Sequence, residues 1–162
     1  CSKVCVEHLA KMYSKNLQQD DLKIITVRAG NVIGGGDWGE DRLIPDMLRS
    51  FLNKKIFEVR NKNSIRPWQH VLDICNGYTI LAEKAYKNKF IYKTYNFGPI
   101  EKKNLKVKEV IKLVQEFFTI KIRNRKKTFK EKKVLNLSSN RVKKHLGWSN
   151  VLKQENAIKL TC

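Results

Sequence analysis

The sequence predicts an α/β fold with mostly parallel strands. Three observations carry that expectation. Short β-branched runs alternate with longer segments of helical periodicity, no repeat or low-complexity linker interrupts the alternation, and 162 residues suffice for one ordinary domain with a real core. Hydrophobic residues at 41% and charged residues at 30% give a globular balance. No apolar run approaches the roughly 18 residues of a membrane span.

From Ser2 to about Lys15, the apolar residues Val4, Cys5, Leu9 and Met12 fall near helical spacing and predict an amphipathic helix. "LKIITVRAGNVIG" reads as a strand, because Ile24, Ile25 and Val27 are β-branched and the run is short for a helix. Pro45 suits an early position of the helix "PDMLRSFLNK". "KIFEV" reads as a short strand, "QHVLD" leads into the helix "ICNGYTILAEKAY", and "TYNFG" is a further strand. "LKVKEVIKLVQEFF" has helical periodicity, and "SSNRVKKHLGW" reads as a capped helix ending at Gly147.

The 34 Lys and Arg against 15 Asp and Glu, a net charge of +19, admit a basic nucleic-acid-binding module, since clustered cations release phosphate counterions. Against that class, Lys is spread over nearly every segment and lacks interleaved aromatics, the pattern of a solvated surface. Only "KIRNRKKTFKEKK", residues 121–133, is a dense basic run, and an exposed loop explains it equally. Cys1, Cys5, Cys75 and Cys162 form neither C-x-x-C pairs nor zinc spacing, so a reducing cytoplasm is expected, with no metal site. The start "CSKVCVEHLA" has no initiator Met and no apolar signal core, and reads as a cut from something longer.

Gly34, Gly36 and Gly39 in "GNVIGGGDWGEDRLIP" spell G-x-G-x-x-G, the pattern of a dinucleotide-binding loop, and Glu58 stands about where that pattern's ribose-binding acid would. Asp37 and Trp38 argue against it, because an acid repels phosphate and a large ring blocks close approach. Pro45 also starts the helix too late for its N-terminus to hold a pyrophosphate. A glycine-rich turn passing close to other backbone is the plainer reading. Arg60 and Arg66 bracket one loop and suit a diphosphate, although loop arginines are commonly solvated. His70 suits a core or supporting position better than a catalytic base, and Asp73 suits a helix N-cap. Asn31 and Asn96 stand at strand ends, where α/β folds gather ligands and where turns also favour Asn. No complete catalytic constellation is present.

Taken in order, "RAGNVIGGGDWGEDRLIPD" (28–46), "RNKNSIRPWQHVLD" (60–73) and "YNFGP" (95–99) closely resemble the CDP-glucose 4,6-dehydratases of the extended short-chain dehydrogenase/reductase family. The likeness runs from Ser2 to about Trp148, the C-terminal half of the family's chain. It implies a partial NAD-dependent epimerase/dehydratase domain over 1–162, made of late Rossmann-type sheet strands and the small substrate-binding domain, with the NAD-binding half missing. The family's NAD fingerprint lies near its N-terminus, so the glycines of 34–39 belong by resemblance to a loop beside the sugar nucleotide.

The same resemblance makes Lys3 the last residue of the Tyr-x-x-x-Lys motif, catalytic and cofactor-binding at the nicotinamide ribose, where its ammonium lowers the tyrosine's pKa. It points Asn31 and Arg66 toward the diphosphate, sets Arg42 and Leu43 at the following helix and Glu58, Val59 and Arg60 around the nucleoside, and puts Asn96 near the far wall. The implied reaction converts CDP-glucose to CDP-4-keto-6-deoxyglucose: NAD takes hydride from C4, water leaves across C5 and C6, and the hydride returns to C6. Other implications are a cytoplasmic enzyme of deoxysugar and O-antigen synthesis, a homo-oligomer when full length, and a fragment inactive alone. An epimerase or dehydratase for UDP-, dTDP- or GDP-sugars is the nearest alternative. Lys130, Glu131 and Lys132 stand where the family often has His-Glu-Ala, and Ser138 where it has Asp.

Overall fold

A computed structural model of the chain describes residues 2–17, 22–89, 93–101, 103–125 and 132–162. Cys1, Lys130 and Glu131 lie outside the described residues, as does much of the basic run. Six helices and six strands are formed among them: α1 (Ser2–Asn16), β1 (Thr26–Ala29), β2 (Asn31–Ile33), α2 (Leu43–Leu52), β3 (Phe57–Val59), β4 (Trp68–His70), α3 (Val71–Tyr86), β5 (Thr94–Phe97), α4 (Val107–Gln115), β6 (Ile122–Asn124), α5 (Asn140–Leu146) and α6 (Gln154–Thr161). The strands pair as β1 with β5, β2 with β4 and β3 with β6, all parallel.

The run expected to be one strand is two, and Gly30 divides them. A Cβ there would lie 2.2 Å from the Pro67 carbonyl oxygen, an impossible contact, so only glycine lets the backbones approach so closely. The Gly30 amide donates to Phe97 O at 3.2 Å and the Asn31 amide to Pro67 O at 2.8 Å, so the chain leaves β5 and takes up β4 within one residue. Val27, Ala29 and Val32 therefore pack on one apolar cluster and Ile33 on the other, and the same crossing sets Asn31 against Pro67, next in sequence to Arg66.

Two apolar clusters hold these layers. In the first, α2 contributes Ile44 and Met47, α4 contributes Val110, Ile111 and Val114, and α6 contributes Ala157 and Ile158, packed on Ile33, Phe57, Val59 and Trp68. The second joins Ile74 and Leu81 of α3 to Tyr95 and Phe97 of β5, with Val142, Leu146 and Trp148 from the C-terminal region. Phe97 meets the Trp148 ring edge-on at 5.0 Å between centroids, and the indole N–H donates to Asp73 O at 3.1 Å. The α1 helix buries no residue, and Val4, Leu9 and Met12 of its apolar stripe remain exposed.

Several local expectations change. Asp73 is not the N-cap of α3: His70 occupies that position and its Nδ1 accepts from the Leu72 amide at 3.2 Å. The buried Asp73 carboxylate instead accepts from the Val151 and Leu152 amides at 2.8 and 3.2 Å, tying α3 to the chain before α6. Ser139 precedes α5 without capping it, because its hydroxyl donates to Gly98 O at 2.7 Å and takes the Gly98 amide at 2.8 Å. Gly147 ends α5 in the left-handed region, as its sequence position predicts. The start of the basic run is not loop but β6, and α6 has no counterpart in the sequence reading.

Candidate functional site

A cleft of about 890 Å³ opens where β2, the turn 34–42, the first turns of α2 and the ends of β3 meet. Asn31, Arg42, Leu43, Glu58, Val59, Arg60 and Arg66 all line it. Their convergence follows from the topology. The β2–β4 pairing puts Asn31 opposite Trp68, two residues beyond Arg66, and β3 ends in Val59 just before Arg60. Lys3 and Asn96 are not part of this cleft. Lys3 sits exposed in the first turn of α1, and Asn96 on β5 accepts from Arg28 Nη1 at 3.2 Å. Arg28 also pairs with Glu7 of α1, so Asn96 belongs to a polar cluster under that helix.

Arg66 is buried, 8% exposed, and its Nη1 donates to Ile65 O at 2.9 Å. A guanidinium held this way keeps its planar fork in one orientation, which suits bidentate contact with phosphate or carboxylate. The cleft also holds Asp37, noted in the sequence only as an acid hostile to phosphate, and groups that the sequence reading passed over: Arg49, Lys55, Arg125, Asp41 and Asp46. Arg125 lies at the end of β6, where its amide donates to Val59 O at 2.9 Å. Its signal was the basic run, from which the pairing of β6 with β3 carries Arg125 to the cleft.

Among the described residues, four carboxylates line the cleft and each meets a guanidinium: Asp37 with Arg42, Asp41 with Arg60, Asp46 with Arg49, and Glu58 with Arg123 on the neighbouring strand. The described lining carries six cationic side chains, Arg42, Arg49, Lys55, Arg60, Arg66 and Arg125, against those four carboxylates, so the cleft favours an anion. Asp37 accepts from the Gly39 amide at 2.9 Å and from Arg42 at 2.7 Å, and these bonds, the backbone one first, hold its carboxyl below the usual carboxylate range. A depressed folded pKa contributes stability that is full above the unfolded value and fades as pH falls through the folded one. The stability difference between wild type and Asp37→Asn is therefore expected to stay constant above about pH 5 and to shrink progressively as pH falls below about 4, read by urea melts across that range.

The glycine turn does not fit a dinucleotide's pyrophosphate. A Cβ at Gly34 would lie 2.6 Å from Val71 Cγ1, so α3 fills the space that a ligand would need. The Asp37 carboxylate stands within the turn, and α2 begins only at Leu43, beyond the last glycine.

Residues 1–98 match the model of the NAD dependent epimerase/dehydratase family. The chain belongs to that family. It is 47% identical over 105 residues to the CDP-glucose 4,6-dehydratase of Salmonella typhimurium, a match covering 60% of this chain and 29% of that protein. Its fold is that of UDP-glucuronic acid 4-epimerase from Bacillus cereus, with a TM-score of 0.79 at 18% identity over 96% of this chain and 48% of the other. An NAD-dependent NDP-hexosamine 5,6-dehydratase of tunicamycin biosynthesis aligns with a TM-score of 0.77 at 22% identity, covering 99% of this chain and 50% of the other. The chain thus has the fold of part of an extended short-chain dehydrogenase/reductase: it spans about half the length of these structures, and its match covers less than a third of the Salmonella dehydratase. No helix among the described residues is long and apolar enough to cross a membrane.

Proposed function

We propose that this chain provides the sugar-nucleotide cleft of an NAD-dependent CDP-glucose 4,6-dehydratase, a hydro-lyase. The observation that supports it best is the convergence of Asn31, Arg42, Arg60 and the buried Arg66 on one cleft with excess cationic charge. A nucleoside diphosphate presents the matching chemistry: two linked phosphates for guanidinium forks, and a base and sugars that fill a cavity of this size. In this reading Arg66 and Asn31 take the diphosphate, Arg42 and Leu43 guard the entrance to α2, and Glu58, Val59 and Arg60 surround the nucleoside, with the Arg60 guanidinium at its phosphate end. Lys3 is the chain's contribution to catalysis and to NAD, whose phosphates are held by residues outside these 162. Asn96 then acts from the polar cluster beneath α1 or not at all.

CDP is preferred over other nucleotides because the Salmonella relative is a CDP-glucose enzyme; the solved neighbours share only the fold and do not choose the base. The test is an assay of the protein with its NAD-binding half supplied, offered CDP-, UDP-, dTDP- and GDP-glucose. Loss of water from CDP-glucose alone supports the reading. Turnover of another nucleotide sugar in its place assigns the site to that nucleotide.

A further inference from the structure

We propose that Asp41 is a binding-site residue that occupies Arg60 in place of ligand phosphate and yields it when a nucleoside diphosphate enters. The inference rests on the reading of the cleft given above. Of the four carboxylates at the cleft, three are tied to one wall. Asp37 is fixed by the Gly39 amide as well as by Arg42. Asp46 pairs with Arg49 three residues along the same helix, and Arg49 also donates to Trp38 O at 2.5 Å and Gly39 O at 3.1 Å. Glu58 and Arg123 are register partners on adjacent strands. Asp41 differs. It lies in the turn before α2, whereas Arg60 follows β3, so their ion pair joins two walls of the cleft.

Neither side chain of that pair has a second hydrogen bond or ion pair among the described residues, and their side chains are 77% and 55% exposed. An ion pair so open to water is weak and screened by salt. A diphosphate offers Arg60 more negative charge and a better-matched set of acceptors than one carboxylate does. Exchange of the carboxylate for phosphate is therefore downhill, and the carboxylate is a competitor that lowers affinity while holding Arg60 in place. Asp41 sits at φ 61°, in the left-handed region that Asp and Asn tolerate best, so Asp41→Asn removes the charge and keeps the backbone.

The experiment is calorimetric titration of CDP, and separately of cytidine, into wild type, Asp41→Asn, Glu40→Gln, Arg60→Gln and the Asp41→Asn/Arg60→Gln double variant. Glu40 is exposed, lies in the same turn and does not line the cleft, so its variant removes equal charge without freeing Arg60. The expected result is CDP binding about two- to fivefold tighter in Asp41→Asn, with no gain in Glu40→Gln, none for cytidine, and none from Asp41→Asn once Arg60 is replaced. If wild type binds CDP and Asp41→Asn binds it no tighter, the exchange is overturned and the cleft reading stands. An equal gain in Glu40→Gln, or a gain that survives loss of Arg60, also overturns it. Failure of wild type to bind CDP removes the cleft reading, and this inference with it.

Discussion

Replacing Arg66 with Gln is expected to weaken CDP binding by about 10- to 100-fold, the loss of charge-assisted hydrogen bonds worth about 1.5–3 kcal/mol. Arg66 is set to act through its whole fork, because burial and the Ile65 carbonyl restrict its orientation. Arg66→Lys is therefore expected to recover only part of the loss: it restores the charge but not the planar pair of donors. Parallel titrations of both variants with CDP and with cytidine check the assignment. Cytidine affinity should change little in either, since it lacks the phosphates that Arg66 is argued to hold. A Lys variant as good as wild type would mean that Arg66 acts as a distant charge.

The largest effect on stability is expected at Asp73, well inside the fold. Asp73 is 5% exposed, and its two carboxylate oxygens take the Val151 and Leu152 amides. Asp73→Ala strands both donors and unties α3 from the segment leading to α6, at a cost of about 2–4 kcal/mol. Asp73→Asn keeps one acceptor oxygen and should cost about half as much. Urea denaturation of the three proteins measures the series, and a CDP titration of each folded variant should give unchanged affinity, because Asp73 does not line the cleft. An Ala variant as stable as wild type would show that these two bonds are replaceable by water.

Much of the fold was legible because periodicity and chain punctuation agree with tertiary packing. Val110, Ile111 and Val114 lie on one helical face and are the residues that α4 buries, and Gly147 stops α5 where a left-handed residue is needed. What escaped the sequence depends on distant partners. Nothing local divides "TVRAGNVI" at Gly30; the division comes from Pro67 pressing on that glycine, 37 positions away in the sequence. Asp73 has the residue type and position of a cap, and only the approach of Val151 and Leu152 gives its carboxylate another task. β6 hid in a basic run because its polar residues point outward and its pairing partner, β3, lies 65 residues earlier.

The candidate site divides in the same way. Asn31, Arg60 and Arg66 could be singled out as strand-end and loop residues, but their sharing of one cleft is a property of parallel pairing at β2 and β4. The ion pairs that tie Asp37 to Arg42 and Asp41 to Arg60 lie beyond sequence reasoning, since each acid could equally have faced solvent.

The central claim is that the cleft bounded by Asn31, Arg60 and Arg66 receives the diphosphate of a sugar nucleotide. Its most direct test is an amide NMR titration of the ¹⁵N-labelled chain with CDP. Saturable shifts are expected, concentrated at Gly30–Val32, Asp41–Leu43, Glu58–Asn61 and Ser64–Arg66, with Lys3 and Asn96 unmoved. Shifts scattered over the lysine-rich surfaces, with those segments silent, would contradict it.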